Sequence, residues 1–303
     1  MTSNVADLAG VGVGAGWPVV VMGAVNVSPE SFYAGSVRRD AAALLDAARK
    51  MVDAGAAVID VGARSTAPYL AAAITDDEET ARLSRAVEAL AAELPVPVSA
   101  DTASVRGARA AMDAGAQIVN DVTGLRDPAM AALVHARARG VILMASPDGV
   151  RGASPSATPR STRGRASEGA RTADPVERVR ALLRQALERA QAAGIADRRI
   201  VVDPGIGFFR DEGLSWDEWD VRVLAGLERL QSLGRPLGVA VSRKSFVGAI
   251  TGRARPEDRL AGSLGAAAVA VVHGAALVRA HDVAQTVDAV RVAERLRPAR
   301  RRC

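Results

Sequence analysis

A lysine and its neighbours form the most chemically informative stretch of this chain. Lys244 lies just after an apolar run at residues 237–241. The chain has one other lysine, Lys50, and all its remaining Lys and Arg positions are arginines. An ammonium is a compact cation on a flexible stem, whereas a guanidinium is a planar fork. The retained lysine therefore indicates a ligand site, although a solvated lysine at the start of a loop would give the same pattern.

Polar residues follow other apolar runs in the same way. Three runs begin with Gly-Ala, at Gly55, Gly115 and Gly274, and each has a polar residue five positions after the glycine. A glycine just past a helix permits the left-handed turn that ends it, so the apolar residues that follow are predicted to form buried strands. The polar residues at the ends of all such runs are Asn26, Asp60, Asp101, Asn120, Asp203, Ser242, Lys244, Arg279 and His281. Each could cap a following helix, but the whole set is better explained by one ligand site.

Three of these residues could recognise a flat heterocycle. Asp101, Asn120 and Asp203 supply carboxylate and amide groups. An ionised carboxylate accepts two parallel N–H bonds from a guanidine-like edge, and an amide both donates and accepts. We therefore expect these three side chains to bind the edge of a substrate ring.

A second group could hold a diphosphate. Arg279 and His281 are two positions apart, which places them on the same side of a strand. Asn26 offers an amide oxygen of the kind that binds Mg²⁺. The chemistry that these residues indicate is the departure of a diphosphate.

The elements that must position these residues alternate along the chain. Eight apolar runs, each short enough for one strand, alternate with helical patterns. Besides the three runs that follow a Gly-Ala pair, the predicted strands lie at 19–25, 96–100, 141–144, 200–202 and 237–241, and the predicted helices at 38–51, 76–94, 104–114, 127–138, 176–193, 217–232 and 259–273. This order favours an α/β fold, a single (β/α)8 TIM barrel with its active site at the C-terminal ends of the strands. A doubly wound parallel sheet is the alternative.

Three segments are predicted to lie outside this pattern. Residues 1–18 contain glycines without the GxGxxG spacing or a preceding strand, so we expect a flexible N-terminal lead-in to a barrel at 19–296. Residues 148–174 are rich in Ser, Gly, Ala and Arg and show no apolar period, which predicts a mobile loop. Residues 297–303 are expected to form a solvated basic tail.

Composition excludes several classes of protein. The chain has 303 residues, of which 49% are hydrophobic, and a net charge of +5. That charge suits an anionic small molecule, but aromatic residues are 3% of the chain, and we find no basic and aromatic interleaving that would grip nucleic acid. Cys303 stands alone, which excludes an intrachain disulfide, and no apolar run reaches the ~18 residues that span a bilayer. These features predict a soluble, cytoplasmic protein with no membrane contact.

The ordered motifs of the chain resemble those of the dihydropteroate synthase family, which joins a pterin methyl diphosphate to p-aminobenzoate in folate biosynthesis. The resemblance covers the chain from about Val19 to its C-terminal helix. The matching stretches are Met22–Phe32, Ile59–Gly62 with Ser65-Thr66, Asp101-Thr102, Val119–Val122, Asp203–Phe208, Ser242–Ser245, Arg259–Ser263 and Arg279–Val283. It implies a (β/α)8 barrel, a homodimer, Mg²⁺ as cofactor, and a transfer reaction without a covalent enzyme intermediate.

The resemblance also implies roles for the residues that match the family's motifs. In these roles Lys244, Arg279 and His281 are the catalytic residues, and Asp60 belongs to the substrate site. The pterin pocket is Asp101, Asn120, Asp203 and Lys244; the diphosphate and magnesium site is Asn26, Arg279 and His281; and the arylamine lies near Ser245 and Thr66.

The chain departs from the family's pattern in two loops. Tyr33-Ala34-Gly35 stands where the family usually has an aspartate, Arg64 replaces a usual glutamate, and Ala67 replaces a usual arginine. These loops resemble the branch of the family associated with tetrahydromethanopterin-type carriers, where the arylamine carries a ribose phosphate. We therefore expect Arg64 to bind the phosphate of such an amine, with p-aminobenzoate as the alternative nucleophile.

Two other functions fit the same motifs. A pterin-binding methyltransferase uses a related barrel but does not need the diphosphate pair Arg279 and His281. A non-catalytic pterin-binding protein is suggested by the altered loops. Release of diphosphate in the presence of Mg²⁺ separates the transferase from both.

Overall fold

A closed barrel of parallel strands forms the centre of the molecule. The computed structural model describes residues 4–27, 37–64, 74–147, 174–209 and 213–297. In chain order the elements are β1 (Val5–Leu8), β2 (Val11–Gly14), β3 (Val20–Asn26), α1 (Val37–Asp53), β4 (Val58–Gly62), α2 (Asp76–Ala91), β5 (Val98–Asp101), α3 (Val105–Asp113), β6 (Ile118–Asp121), α4 (Pro128–Arg137), β7 (Gly140–Met144), α5 (Pro175–Ala192), β8 (Ile200–Asp203), α6 (Trp216–Ala225), β9 (Leu237–Ala240), α7 (Ser245–Thr251), α8 (Leu260–Val272), β10 (Ala275–Ala280) and α9 (Val283–Leu296), with 3₁₀ helices at Asp197–Arg199, Leu227–Leu233 and Pro256–Arg259.

The sheet closes on itself. Strands β3 to β10 follow one another in order, and β10 pairs with β3 in parallel register through Leu277 and Val20. A doubly wound sheet has two open edges, so closure excludes that alternative and confirms the (β/α)8 barrel. All eight strands therefore direct their C-terminal ends to the same face.

The strand period places the polar residues inside the barrel. Along each strand, successive side chains alternate between the helices and the barrel interior. Val58 belongs to the interior cluster, so Asp60, two residues on, faces the same way. The same step leads from Ile118 to Asn120 and from Leu277 to Arg279. The apolar layer therefore lies below a polar layer at the C-terminal end of the strands.

The N-terminal segment is a structured hairpin, which corrects the expectation of a flexible lead-in. Strands β1 and β2 pair antiparallel, and Leu8 and Val13 are fully buried in the same cluster as the apolar interior of the barrel. Leu8 lies so close to Gly140, at the start of β7, that a Cβ on that glycine would be 2.6 Å from a leucine methyl. The hairpin therefore closes the N-terminal end of the barrel by apolar packing. The many glycines of this segment make such packing difficult to predict from the sequence.

The helices form where predicted, with two differences. Gly55, Gly115 and Gly274 all have positive φ, as the Gly-Ala pattern predicts. The helix expected at 217–232 instead ends before Gly226, which has φ −106° and where a Cβ would lie 2.8 Å from Val176. Gly226 permits this close approach of α5, and the chain continues as the 3₁₀ helix Leu227–Leu233. The short helix α7 has no counterpart among the predicted helices.

Several predictions fall on other parts of the chain. Residues 148–173 and 298–303, which carry the predicted mobile loop and basic tail, lie outside the described residues, so both stay predictions. Asp174 is described and caps α5, since its Oδ1 accepts from the amide of Val176 at 2.9 Å. None of the helices in the described ranges is long and apolar enough to cross a membrane.

Candidate functional site

An arginine bridges two carboxylates at the C-terminal end of the barrel. Arg279 Nε donates to Asp60 Oδ2 at 2.6 Å, and its Nη2 donates to Asp101 Oδ2 at 2.9 Å. Asn120 Nδ2 also donates to Asp60 Oδ2, at 3.2 Å. Residues from four strands are thus joined in one hydrogen-bonded cluster, as the strand pattern predicts.

Burial strongly affects the protonation of Asp101. Asp101 is 8% exposed, and loss of solvent raises its pKa to about 7 against the opposing pull of Arg279. Asp60 is fully buried and adds to the rise because its negative charge lies nearby. Asp101 Oδ1 and Asp60 Oδ1 have no hydrogen-bond partner among the described residues. Asp101 Oδ1 is therefore a buried acceptor whose hydrogen bond the described part of the chain does not supply.

A third carboxylate, Asp203, and the lysine Lys244 lie on the other side of the barrel mouth. Burial raises the pKa of Asp203 to about 6, although its Oδ1 accepts from the amide of Gly205 at 2.7 Å and Lys244 is near. Burial also lowers the pKa of Lys244, and the negative charge of Asp203 opposes that shift. The ammonium lies 4.9 Å from the centre of the Phe208 ring, which holds it by a cation–π contact. The structure thus directs Lys244 towards the site, away from solvent.

His281 stays neutral at neutral pH, so Arg279 is the charged member of the predicted diphosphate pair. Burial, together with the positive charges of Arg279 and Arg243, lowers the pKa of its imidazole to about 4. Ser242 Oγ contacts its Nδ1 at 3.1 Å and accepts from its backbone amide at 3.2 Å. Asn26 Nδ2 lies 3.4 Å from its Nε2. His281 can therefore donate a hydrogen bond, but it does not add a positive charge at neutral pH.

The turn after β9 is strongly constrained. Arg243 has a positive φ of 57°, which is uncommon for a residue other than glycine. Its amide donates to Ser263 Oγ at 2.8 Å, its carbonyl accepts from Arg259 at 3.0 Å, and its guanidinium forms a bidentate pair with Asp282. These contacts hold the backbone that carries Ser242 and Lys244, one residue on each side.

Asn26 can contribute to a magnesium site without forming one alone. It is exposed at the C-terminal end of β3, and a Cβ on Gly62 would lie 3.6 Å from its Oδ1. Within the described residues, no group of three or more His, Cys, Asp and Glu side chains could hold a metal ion. Mg²⁺ commonly takes one or two protein oxygens and completes its shell with phosphate and water. The donor set fits an ion of that kind.

Arg64 lies where expected in the chain but contacts other protein groups. Its Nη2 donates to Asp76 Oδ1 at 3.0 Å and to the carbonyl of Ile74 at 2.8 Å. Its Nε lies 2.9 Å from Glu79 Oε2, an ion pair without good hydrogen-bond alignment. The expectation of a guanidinium available to a substrate phosphate does not match this arrangement, because two carboxylates already hold it.

Of the two residues predicted to lie near the arylamine, the structure describes one. Ser245 begins α7 beside Lys244, at the barrel mouth, whereas Thr66 lies outside the described residues. Sequence reasoning missed Glu79, which contacts both Arg64 and Thr102. Its position in the acidic first turn of α2 gave no signal, because acidic residues are ordinary there.

Comparison with known proteins agrees with this geometry. The model of a family described as "Pterin binding enzyme" matches residues 22–281. The dihydropteroate synthase of Escherichia coli K12 is 33% identical over 274 residues, which cover 90% of each chain. A probable bifunctional folylpolyglutamate synthase/dihydropteroate synthase of Haloferax volcanii is 39% identical over 273 residues, which are 90% of this chain and 30% of that protein.

Solved structures are similar over nearly the whole chain. The dihydropteroate synthase of Xanthomonas albilineans with 4-aminobenzoic acid superposes with a TM-score of 0.79 at 36% identity, covering 98% of this chain and 99% of that one. The same enzyme in complex with 7,8-dihydropteroate gives a TM-score of 0.77 at 33% identity, with 98% and 100% covered. The chain belongs to the pterin-binding enzyme family, among the dihydropteroate synthases.

Proposed function

We propose that this protein condenses 6-hydroxymethyl-7,8-dihydropterin diphosphate with p-aminobenzoate and releases diphosphate. One observation carries the proposal: Arg279 joins Asp60 and Asp101 at the floor of a barrel mouth that Asp203 and Lys244 complete. Carboxylates and a cation at this face suit a heterocycle with donor and acceptor edges and an anionic leaving group. The relatives and solved structures of the family support the same reaction.

In the proposed pocket, carboxylates and an amide recognise the pterin ring. Asp101 and Asp203 accept from its N–H groups, Asn120 supplies an amide, and Lys244 donates to its acceptor edge. Because Asp60 and Arg279 fix Asp101, the carboxylate is oriented before substrate arrives. Such pre-organisation lowers the reorganisation that binding and reaction require.

The leaving diphosphate is stabilised mainly by hydrogen-bond donors. Arg279 is 17% exposed and carries a positive charge, His281 is neutral, and Asn26 is exposed beside it. Donors directed at the position where negative charge develops lower the barrier because they need no reorganisation in the transition state. The arylamine nitrogen attacks the exocyclic methylene carbon of the pterin, the carbon–oxygen bond to diphosphate breaks, and the amine releases a proton.

Mg²⁺ belongs to this proposal as a partner of the diphosphate. Asn26 would hold the ion through its amide oxygen, with phosphate oxygens and water as the other ligands. When bound, the ion would neutralise charge on the leaving group. The single exposed amide oxygen predicts weak binding of Mg²⁺ until the substrate is present.

The arylamine is p-aminobenzoate in this proposal. The case for a ribosylated amine depended on a free guanidinium at Arg64, and this residue is paired with Asp76 and Glu79. The related X. albilineans enzyme has been solved with 4-aminobenzoic acid. Ser245 at the start of α7 lies at the mouth, where the amine would enter.

The alternatives differ in their products. A methyltransferase or a non-catalytic pterin-binding protein releases no diphosphate. The test is release of diphosphate from the pterin substrate with p-aminobenzoate, with Mg²⁺ and then with excess chelator. Release that requires Mg²⁺ and falls on the order of 10²–10³ in Arg279→Ala supports the proposal. Pterin binding without release, or full activity in chelator, contradicts it.

A homodimer forms part of the proposal, through an apolar surface made by α7 and α8. Helix α8 carries no charged residue, yet Val269 and Val272 are exposed, as is Ile250 of α7. Val269 and Ile250 border a groove of about 360 Å³ with a largely apolar lining that includes Phe246 and Leu224. A helix that is apolar on all sides is normally covered on all sides. A second copy is the proposed cover, and a cytoplasmic location stays part of the same proposal.

A further inference from the structure

A buried glutamate joins the ends of two neighbouring strands. Glu79, in the first turn of α2, is 4% exposed. One of its oxygens, Oε2, lies 2.9 Å from Arg64 Nε, and the other, Oε1, accepts a hydrogen bond of 2.9 Å from Thr102 Oγ1. Both carboxylate oxygens are therefore used, one towards each strand end.

The contact on the β4 side fixes the chain just past that strand. Arg64 follows β4 by two residues, and its Nη2 also donates to the carbonyl of Ile74 and to Asp76. A carboxylate at position 64 would face two other carboxylates, Asp76 and Glu79. The arginine therefore suits this electrostatic environment.

The contact on the β5 side fixes the residue next to the pterin site. Thr102 is 1% exposed and directly follows Asp101. Its Oγ1 donates to Glu79 and accepts from the amide of Ser104 at 3.1 Å, while its own amide donates to the carbonyl of Asn120 at 3.3 Å. The backbone at the end of β5 is therefore held from three directions, and the side chain of Asp101 projects from it.

We propose that Arg64 and Glu79 are positioning residues that act through Thr102 to hold Asp101 in the orientation that binds the pterin. The inference rests on the proposed function for the identity of the ligand. In this proposal Arg64 affects the affinity for the pterin and does not affect which arylamine is used. The two assignments make opposite kinetic predictions, so one experiment separates them.

The experiment measures KM for each substrate separately, together with kcat and the dissociation constant of the pterin diphosphate. The variants are Arg64→Gln, Glu79→Gln and their combination. Loss of a charge-assisted contact at a buried site corresponds to about a tenfold to hundredfold effect. We expect the dissociation constant for the pterin to rise by about tenfold in each single variant, with KM for the arylamine within about twofold of wild type.

The combined variant tests whether the two residues act as a unit. Once one partner is lost, removal of the other should add little, so the double variant is expected to resemble the single ones. Thr102→Ser keeps the hydroxyl and should bind like wild type, whereas Thr102→Val loses the contact with Glu79 and should bind like Glu79→Gln. Recovery by serine distinguishes positioning from a general loss of stability.

A matched control comes from an exposed ion pair that also involves the first turn of α2. Arg106 of α3 and Asp77 of α2 pair at the surface, with side chains 68% and 79% exposed. Arg106→Gln and Asp77→Asn remove the same kinds of charge near the same place. We expect neither to change pterin affinity, because exposed pairs contribute little.

Two results overturn the inference. One is an unchanged pterin dissociation constant in Glu79→Gln, and the other is a raised KM for the arylamine in Arg64→Gln with unchanged pterin affinity. Direct titration with the pterin does not require turnover. Two results together would refute the proposed function and leave the positioning role intact. The wild-type protein would release no diphosphate, and the Glu79→Gln variant would bind the pterin more weakly than wild type.

Discussion

Arg279 Nε lies 2.6 Å from Asp60 Oδ2, at the centre of the barrel mouth. Asp60 is fully buried, and the positive charge of the arginine is the main compensation for its carboxylate, with a weaker contribution from Asn120. A buried charge without a partner is costly. The pair therefore links the stability of the barrel to the geometry of the site, since the same guanidinium holds Asp101.

Removal of Asp60 is expected to reduce stability strongly. Loss of one partner from a buried ion pair costs about 3–5 kcal/mol, and here Arg279 keeps its contact with Asp101, which places the loss near the lower limit. Asp60→Ala should therefore lower the free energy of unfolding by about 3 kcal/mol in urea titration. Asp113→Ala removes a partner of Arg137 at an exposed site and should cost less than about 1 kcal/mol. Equal losses in the two variants would contradict this account.

Replacement of Lys244 is expected to affect binding more than stability. Its ammonium is desolvated and rests over the ring of Phe208, so the folded protein gains little from its charge. Lys244→Ala should weaken binding of the pterin diphosphate by about tenfold or more, while Tm changes little. Lys50→Ala is the matched control, because Lys50 is an exposed lysine paired with Asp46 on α1. The assignment of Lys244 to the pterin site fails if isothermal titration gives the same dissociation constant for both variants.

The raised carboxylate pKa values predict opposite pH dependences for stability and binding. Burial raises the pKa of Asp101 from 3.8 to about 7 and that of Asp203 to about 6. A raised carboxyl pKa means that the folded protein holds protons that the unfolded chain releases. The contribution of these groups to the free energy of unfolding therefore falls as pH rises from about 4 to about 7. Pterin binding needs the ionised form, so its affinity should rise over the same window.

Asp101→Asn isolates the contribution of one carboxyl group. The Tm of this variant relative to wild type should be higher at pH 8 than at pH 5, because wild type then carries a buried ionised carboxylate. Its pterin affinity should be lower than wild type at pH 8 and should rise less with pH. Thermal unfolding and fluorescence titration across this range provide the measurements. A constant Tm difference from pH 5 to pH 8 would show that Asp101 titrates normally.

Much of the site could be predicted because strand period and barrel topology are simple rules. A polar residue two positions after an interior apolar residue must enter the barrel, as Asp60 and Arg279 do. Parallel closure then brings the ends of all strands together. These rules place side chains on a face, but they do not say which partners those side chains choose.

The partners of Arg64 and the charge of His281 could not be predicted from the sequence, because both depend on tertiary contacts. Arg64 meets Glu79 because α2 packs over the exits of β4 and β5, a tertiary relationship that no local pattern encodes. The pKa of His281 depends on its burial and on the positive charges of Arg279 and Arg243. The hairpin β1–β2 is not evident from the sequence because its glycines are typical of a flexible segment, while its packing comes from Leu8 and Val13.

A charge on the apolar surface of α7 and α8 is expected to separate the two copies of the proposed dimer. Val269 of α8 is 46% exposed and lines the groove beside Ile250, so a glutamate there would place a charge in an apolar contact between two copies. Val269→Glu should therefore shift the protein from dimer to monomer in sedimentation at micromolar concentration. Val292 of α9 is 61% exposed and is absent from the groove lining, so Val292→Glu introduces the same charge elsewhere and should leave the dimer intact. A wild-type monomer, or dissociation by both variants alike, would show that this surface does not join two copies.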